Sequence, residues 1–319
     1  MIKNSFLNET IRYLVRILRP LVFYKGIIPR TLKTLRLVPS SLQGYIFFKG
    51  QFTVKTTSGN QFYLMNWGHP TYELENKIFW SGLYSIDEST SIKVWEELSM
   101  VSSTIIDIGA NTGIFTLVAK SVNPNANVIA FEPITRIYEK LLKNIYINKY
   151  DAAAFDIGIS NFDGEQEIYD FPNIKNPYSA SLDLQQVNEI SSRAQFDLKK
   201  ILISTKKLDS LINEMQIKKL TNTLIKIDVE QHEPFVLDGM KNMMQELKPV
   251  ILIEILNNKI ADAVTKFMQN YNYDYFKIIE GKGIKKISLI ESSGTHQERN
   301  FLFVPNSLEI ESLKKFSIN

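Results

Sequence analysis

Cysteine is missing from all 319 residues, so disulfides, zinc–thiolate centres and a thiol nucleophile are excluded. The same absence suits a reducing compartment, and a cytoplasmic location is expected. No charge-free apolar run approaches the ~20 residues that cross a bilayer. Nor does the start of the chain carry a clean apolar core followed by a small-residue cleavage site, so no secretory signal is expected. Internal repeats and low-complexity tracts are lacking as well. Neither sign of charge dominates: 37 Lys and Arg oppose 34 Asp and Glu, a net +3. What remains is an ordinary globular composition, 44% apolar and 22% charged, on a chain long enough for one large α/β domain with an appended segment.

The charge is less evenly spread than its sum suggests. Residues 1–40 hold eight basic side chains (Lys3, Arg12, Arg16, Arg19, Lys25, Arg30, Lys33 and Arg36) against one acid, Glu9, which gives +7 and leaves −4 for residues 41–319. Within 6–24, Ile11, Leu14, Val15 and Leu18 recur at near-helical spacing, with Arg12, Arg16 and Arg19 to one side. Such a leader packs on its own domain or on a dimer partner, or lies on an anionic membrane surface at its inner face. A nucleic-acid-binding arm is the weaker alternative, and no nucleic-acid partner is expected. Residues 45–65 read as a β-hairpin turning at Thr57–Asn60. Residues 71–99 read as mainly helical, broken at Gly82, with Asp87 or Ser89 as a cap before Ile92–Leu98. The expected organisation is a basic leader over 1–44, a hairpin and helical pre-domain over 45–99, the main domain over 100–306 and a tail over 307–319.

The main domain is organised around Thr104-Ile-Ile-Asp-Ile-Gly-Ala-Asn-Thr-Gly113. A short β-branched run leads into Asp107, Gly109, Asn111 and Gly113, and an apolar helical run follows from Ile114. A strand, a glycine turn and a helix N-terminus form the place where an α/β sheet binds a nucleotide-like ligand. A dinucleotide fingerprint would read Gly-x-Gly-x-x-Gly; here Asn111 stands at the middle glycine and Asp107 ends the strand. A carboxylate beside a pyrophosphate repels it, whereas the cationic S-adenosylmethionine (SAM) attracts one. Glu132, ending the strand Val128-Ile-Ala-Phe-Glu, is placed to accept hydrogen bonds from ribose hydroxyls in either class of cofactor.

Strands are predicted at 104–108, 127–131, 153–157, 223–228 and 250–255, alternating with helices near 113–121, 135–147, 233–246 and 259–271. Such alternation means a parallel sheet with helices on both faces. Tyr275–Ile279, Ile287–Ile290 and Asn300–Val304 read as antiparallel strands that complete it. Gly164–Phe171 reads as an edge strand, and Pro172–Ser181 as a loop. The expected fold class is α/β, a doubly wound and mostly parallel seven-stranded sheet with an N-terminal helical and hairpin extension.

Asp107-Ile-Gly-Ala-Asn-Thr-Gly113, Ala130-Phe-Glu-Pro133, Leu208-Asp-Ser-Leu211 and Ile225-Lys-Ile-Asp-Val-Glu230 together resemble the FkbM family of SAM-dependent methyltransferases, over about residues 80–305. The resemblance implies a class I, Rossmann-like methyltransferase fold and methylation of a hydroxyl on a sugar, glycan or polyketide-like acceptor. It also implies that the stretch 158–210 is similar to a cap near that acceptor. One departure stands out: Gln231-His232-Glu233 replaces the family's usual Gly-Ala-Glu, which removes a turn glycine.

Methyl transfer to a neutral alcohol needs a group that weakens the O–H bond. Asp228 ends the fourth parallel strand, Glu230 follows at the cleft mouth, and Glu254 ends the next strand, so all three acids are expected on one rim. Asp228 or Glu230 is the expected base, and Asp228 is also expected to contact SAM. A magnesium-like cation held by these acids is the less favoured alternative. His232 is a further candidate proton acceptor, with His69 and His296 behind it. Asp156, at the end of the third strand, is a candidate partner for the adenine amino group. The cofactor-binding set is therefore Asp107, Gly109, Asn111, Gly113, Glu132, Asp156 and Asp228. Two other readings compete: an NAD-dependent oxidoreductase, and a non-catalytic chain of methyltransferase fold in glycan assembly.

Overall fold

The computed structural model describes residues 27–35, 38–43, 46–68, 73–170, 180–181, 199–214 and 222–318. Most of the basic leader, the loop holding His69, and most of the polar stretch after Asp170 lie outside them. Helices α1 (Ile27–Thr34) and α2 (Ser40–Gln43) precede the hairpin of β1 (Lys49–Lys55) and β2 (Gln61–Trp67). The hairpin alternates buried and exposed residues, and Phe52, Val54, Phe62 and Leu64 form its buried face. Helix α3 (Glu73–Ser81) ends at Gly82, and α4 (Ser89–Val101) leads into the sheet. The residue at the start of α4 is Glu88, not Asp87 or Ser89. Its first amides are satisfied from far along the chain, by the Glu280 carboxylate at Thr90 N (2.6 Å) and Ser91 N (3.3 Å).

From β3 (Thr104–Ile108) strands and helices alternate as expected: α5 (Ile114–Val122), β4 (Asn127–Phe131), α6 (Thr135–Asn148) and β5 (Ala152–Phe155). A small second sheet then interrupts the pattern. Its strands β6 (Gly158–Ile159), β7 (Gly164–Asp170), β8 (Ala180–Ser181) and β9 (Lys199–Lys206) are ordered β6-β9-β7-β8. Helix α7 (Leu208–Glu214), β10 (Thr223–Ile227), α8 (Glu233–Asp238), α9 (Lys241–Glu246), β11 (Val250–Glu254) and α10 (Asn258–Met268) resume the alternation. The chain ends in β12 (Tyr273–Ile279), β13 (Gly283–Ile287) and β14 (Asn300–Pro305).

The main sheet is ordered β13-β12-β14-β11-β10-β3-β4-β5. Strands β11, β10, β3, β4 and β5 are parallel neighbours, and β14 runs antiparallel between β11 and β12. Among the described residues this sheet has eight strands rather than seven, because β13 adds an outer edge. It begins at Gly283 rather than near Ile287, and a Cβ on Gly283 would lie 2.2 Å from the Phe316 carbonyl oxygen. The expected helix over 233–246 is two helices. A Cβ on Gly239 would fall 1.9 Å from the Ser160 carbonyl oxygen, and the Asp209 carboxylate caps α9 at Asn242 N and Met243 N.

Strand alternation divides the core. Ile105 and Leu224 face one side with Trp95, Leu117 and the hairpin aromatics, whereas Ile106, Ile108, Ile225 and Ile227 face the other with Val236, Met240 and Val264. The hairpin and α3–α4 thus share one hydrophobic cluster with the sheet, and their removal would strip its apolar face.

Candidate active site

The turn after β3 is built by backbone constraints. Gly109 N and Ala110 N both donate to the Phe131 carbonyl (3.0 and 2.9 Å), which ties the turn to the end of β4. A Cβ on Gly109 would fall 1.8 Å from the Asp228 carbonyl oxygen. The glycine therefore lets the ends of β3 and β10 meet, a reason distinct from ligand approach. Gly113, at φ +93°, starts α5, and a Cβ there would sit 2.5 Å from Leu141 Cδ1. Asn111 takes a left-handed φ of +53°, donates its amide to Glu132 Oε2 (3.0 Å) and accepts Thr112 N at its own Oδ1 (2.8 Å). Glu132 also accepts Ile134 N (3.0 Å), so the carboxylate joins the two turns. Burial raises its pKa to about 7, against the pull of these N–H groups.

A cleft of about 880 Å³, including its open mouth, lies over these turns. Gly109, Asn111, Glu132, Asp228, Glu230 and His232 all line it, together with residues of the small sheet. Asp107 does not. Position 107 shares its parity with Ile105, so its side chain turns away from the cleft toward α5, is fully buried, and accepts Thr116 Oγ1 at 2.6 Å. The expectation that it meets the cofactor at the cleft is corrected by that geometry. Gly113 and Asp156 are also absent from the lining. Asp156 is exposed at the end of β5, while Ile157 and Gly158 turn into the cleft instead.

On the face that carries Asp107 stands an ionic cluster. Lys226 is buried between Asp107 and Asp228 and pairs with Asp228 Oδ2 at 2.8 Å. Burial alone would depress the lysine, but the carboxylates of Asp228, Asp107 and Glu88 outweigh it and raise its pKa. Burial likewise works against an ionised Asp228, yet Lys226 holds it below the ordinary carboxylate range. Glu254 is pushed well above that range by burial and by Asp228, with Arg299 (Nε to Oε1, 2.9 Å) opposing. Asp228 and Glu254 are hydrogen-bonded, so Glu254 keeps the proton that Asp228 gives up. Glu88 is raised by burial and by Asp228. One carboxylate oxygen each from Glu88, Asp228 and Glu254 lies within 4.8 Å of the others, an arrangement whose oxygens could hold a divalent cation.

Of the expected rim acids, Asp228 and Glu254 come together, joined by Glu88, Lys226 and Arg299, while Glu230 lines the cleft. Lys226 carries a readable signal: a lone cation inside an apolar strand is paired or functional. Glu88 carries none, since it sits in a polar turn and reaches the cluster only through tertiary packing. His232 Nε2 lies 2.9 Å from Ser160 Oγ and the ring stacks on Phe235; burial lowers its pKa to about 4, so the imidazole is neutral near pH 7. His296 is exposed, with Nδ1 3.2 Å from Arg299. The missing family glycine is met by strain: Glu230 and Gln231 adopt φ of +52° and +75°. Glu233 Oε1 accepts Gln231 N (3.1 Å) and Asn257 Nδ2 donates to Gln231 Oε1 (2.6 Å), which holds the turn without it.

Residues 107–275, more than half of the chain, match the Methyltransferase FkbM domain. The chain belongs to the FkbM methyltransferase family. It is similar to the hexuronic acid methyltransferase AglP of Haloferax volcanii, 25% identical over 181 residues, 57% of this chain and 67% of AglP. It is also similar to the AMB antimetabolite synthetase AmbE of Pseudomonas aeruginosa, 24% identical over 205 residues, which are 54% of this chain but only 10% of AmbE. Among solved structures, the methyltransferase FkbM from Methylobacillus flagellatus KT superimposes with a TM-score of 0.39 at 12% identity, over 73% of this chain and 54% of that one. The sheet presents the carboxyl ends of its parallel strands to the cleft.

Proposed function

We propose that this methyltransferase moves a methyl group from SAM to a hydroxyl of a carbohydrate or a similarly hydroxylated metabolite. The cleft carries the reading: Gly109, Asn111, Glu132, Asp228, Glu230 and His232 all line it, beside a cluster rich in carboxylates. The residues fit the cofactor. Glu132 offers its remaining lone pairs to ribose hydroxyls, and unpartnered polar atoms of the small sheet face the same cleft. SAM, when bound, supplies a methyl group already activated by a positive sulfur. Asp228, kept ionised by Lys226, places negative charge beside that cation. It is for the same reason a weak base, and Glu230 is assigned the acceptor's proton. Because Lys226 already opposes the charge of Asp228 and Glu254 holds its proton, catalysis without a metal is the favoured form. The name borne by AglP supports a sugar-like acceptor.

The test is formation of S-adenosylhomocysteine (SAH) from SAM with a panel of uronic acids, neutral hexoses and non-sugar alcohols. Turnover with a sugar hydroxyl, lost in Glu230→Gln, is the expected result. Thermal stabilisation by NAD and not by SAH would overturn it in favour of an oxidoreductase.

A further inference from the structure

The small sheet β6-β9-β7 has a face that the assigned chemistry leaves without a task. Gln166 lies opposite Ile203 in the β7–β9 ladder, and Gly164 lies opposite Thr205, so Gln166, Ile203 and Thr205 share one side. All three line the cleft, together with Ile168. Gln166 Oε1 and Thr205 Oγ1 are both buried without a hydrogen-bond partner, and Thr205 is only 3% exposed. Buried polar atoms left unpaired cost stability, and two facing one cavity mark the place of a polar ligand. The strand pairing keeps that place open. Thr205 is flanked across the sheet by Gly158 on β6 and Gly164 on β7, so neither cross-strand neighbour sets a side chain beside it.

The position within the cleft says which part of the ligand arrives there. Glu132 is assigned the ribose, and Pro133, Ile134, Ile157 and Gly158, the residues that follow β4 and β5, line the same cleft. A planar ring attached to that ribose would lie among isoleucine side chains, with its edge against β7 and β9. We infer that Gln166 and Thr205 read the edge of the adenine base, a task expected of Asp156 at the end of β5. A carboxamide suits it, since its oxygen accepts from an exocyclic amino group while its nitrogen donates to the neighbouring ring nitrogen. The Thr205 hydroxyl serves a second ring nitrogen.

This inference rests on the cleft being the SAM site, and its test separates the two. Binding of SAH and of an SAH analogue lacking the purine 6-amino group is measured by calorimetry on the wild-type protein, Gln166→Leu, Thr205→Val, Thr205→Ser and Asp156→Ala. Wild type should prefer SAH by about tenfold, the scale of one buried hydrogen bond. Gln166→Leu should bind both equally, and Thr205→Val should weaken both while Thr205→Ser restores them. Equal binding of the two ligands by the wild-type protein overturns the inference without recourse to any variant. So does a preference abolished by Asp156→Ala and kept in Gln166→Leu. If wild type binds no SAH at all, the cofactor reading itself falls, and this one with it.

Discussion

Glu233 shows how a single buried acid sets a pH dependence. It holds the turn that replaces the family glycine, but its Oε2 is buried without a partner, and burial raises its pKa from 4.5 to about 8. Below about pH 4.5 the carboxyl is neutral in both folded and unfolded chains, and its burial costs nothing extra. As pH rises from there toward 8, the unfolded chain loses the proton that the folded one keeps, so stability falls. Glu233→Gln should flatten that fall by up to a few kcal/mol, seen as a smaller difference between urea midpoints at pH 5 and pH 8. Glu132 follows the same sign for stability but the opposite for binding. Its ionised form is the better acceptor for ribose hydroxyls, so SAH affinity should strengthen as pH rises through about 7 and lose that dependence in Glu132→Gln. The identity of these residues was readable; the direction of Asp107 was misjudged. Counting parity along Ile105-Ile106-Asp107-Ile108 would have placed it with Ile105, on the α5 side.

Elements come into register through contacts that no local pattern announces. Of the five parallel strands, β3, β10 and β11 are the most legible, because every residue in them is buried and most are β-branched. The helix break at Gly239, the second sheet and the placement of Glu88 are not, because each is decided by a partner distant in the chain. Helix α4 is an example. Its N-terminal amides are capped by Glu280 from the β12–β13 turn, and its first residue holds Glu88 over Asp228. Glu280→Ala should cost about 1–2 kcal/mol in urea unfolding and should lower turnover by displacing Glu88. The β3 turn is less forgiving. In Gly109→Ala the methyl would meet the Asp228 carbonyl at 1.8 Å, and a loss of several kcal/mol is expected, measured as a collapsed melting temperature.

For the whole molecule, no helix among the described residues is long and apolar enough to cross a membrane. The described part of the leader is occupied internally: the Lys33 ammonium donates to the Phe79 carbonyl, and Arg30 lies over the Phe48 ring at 5.5 Å. We propose that the remaining basic side chains of residues 1–26 serve an anionic membrane. Replacing Arg12, Arg16 and Arg19 by Gln should lower sedimentation with phosphatidylserine vesicles and leave SAH affinity unchanged; unaltered sedimentation would make the leader a packing element. A chelator such as EDTA should leave turnover unchanged, and recovery by magnesium after its loss would transfer Glu88, Asp228 and Glu254 to the role of ligands.

Strand β14 comes after the other described strands in the chain yet belongs inside the sheet, between β11 and β12, with Arg299 directly before it. A nascent chain that stops short of Arg299 would expose the bare flank of β11 and leave Glu254 without its guanidinium. Insertion of this segment therefore closes the sheet and brings a guanidinium to the carboxylates together. A premature stop before that point would yield an adhesive fragment rather than a slightly shortened enzyme.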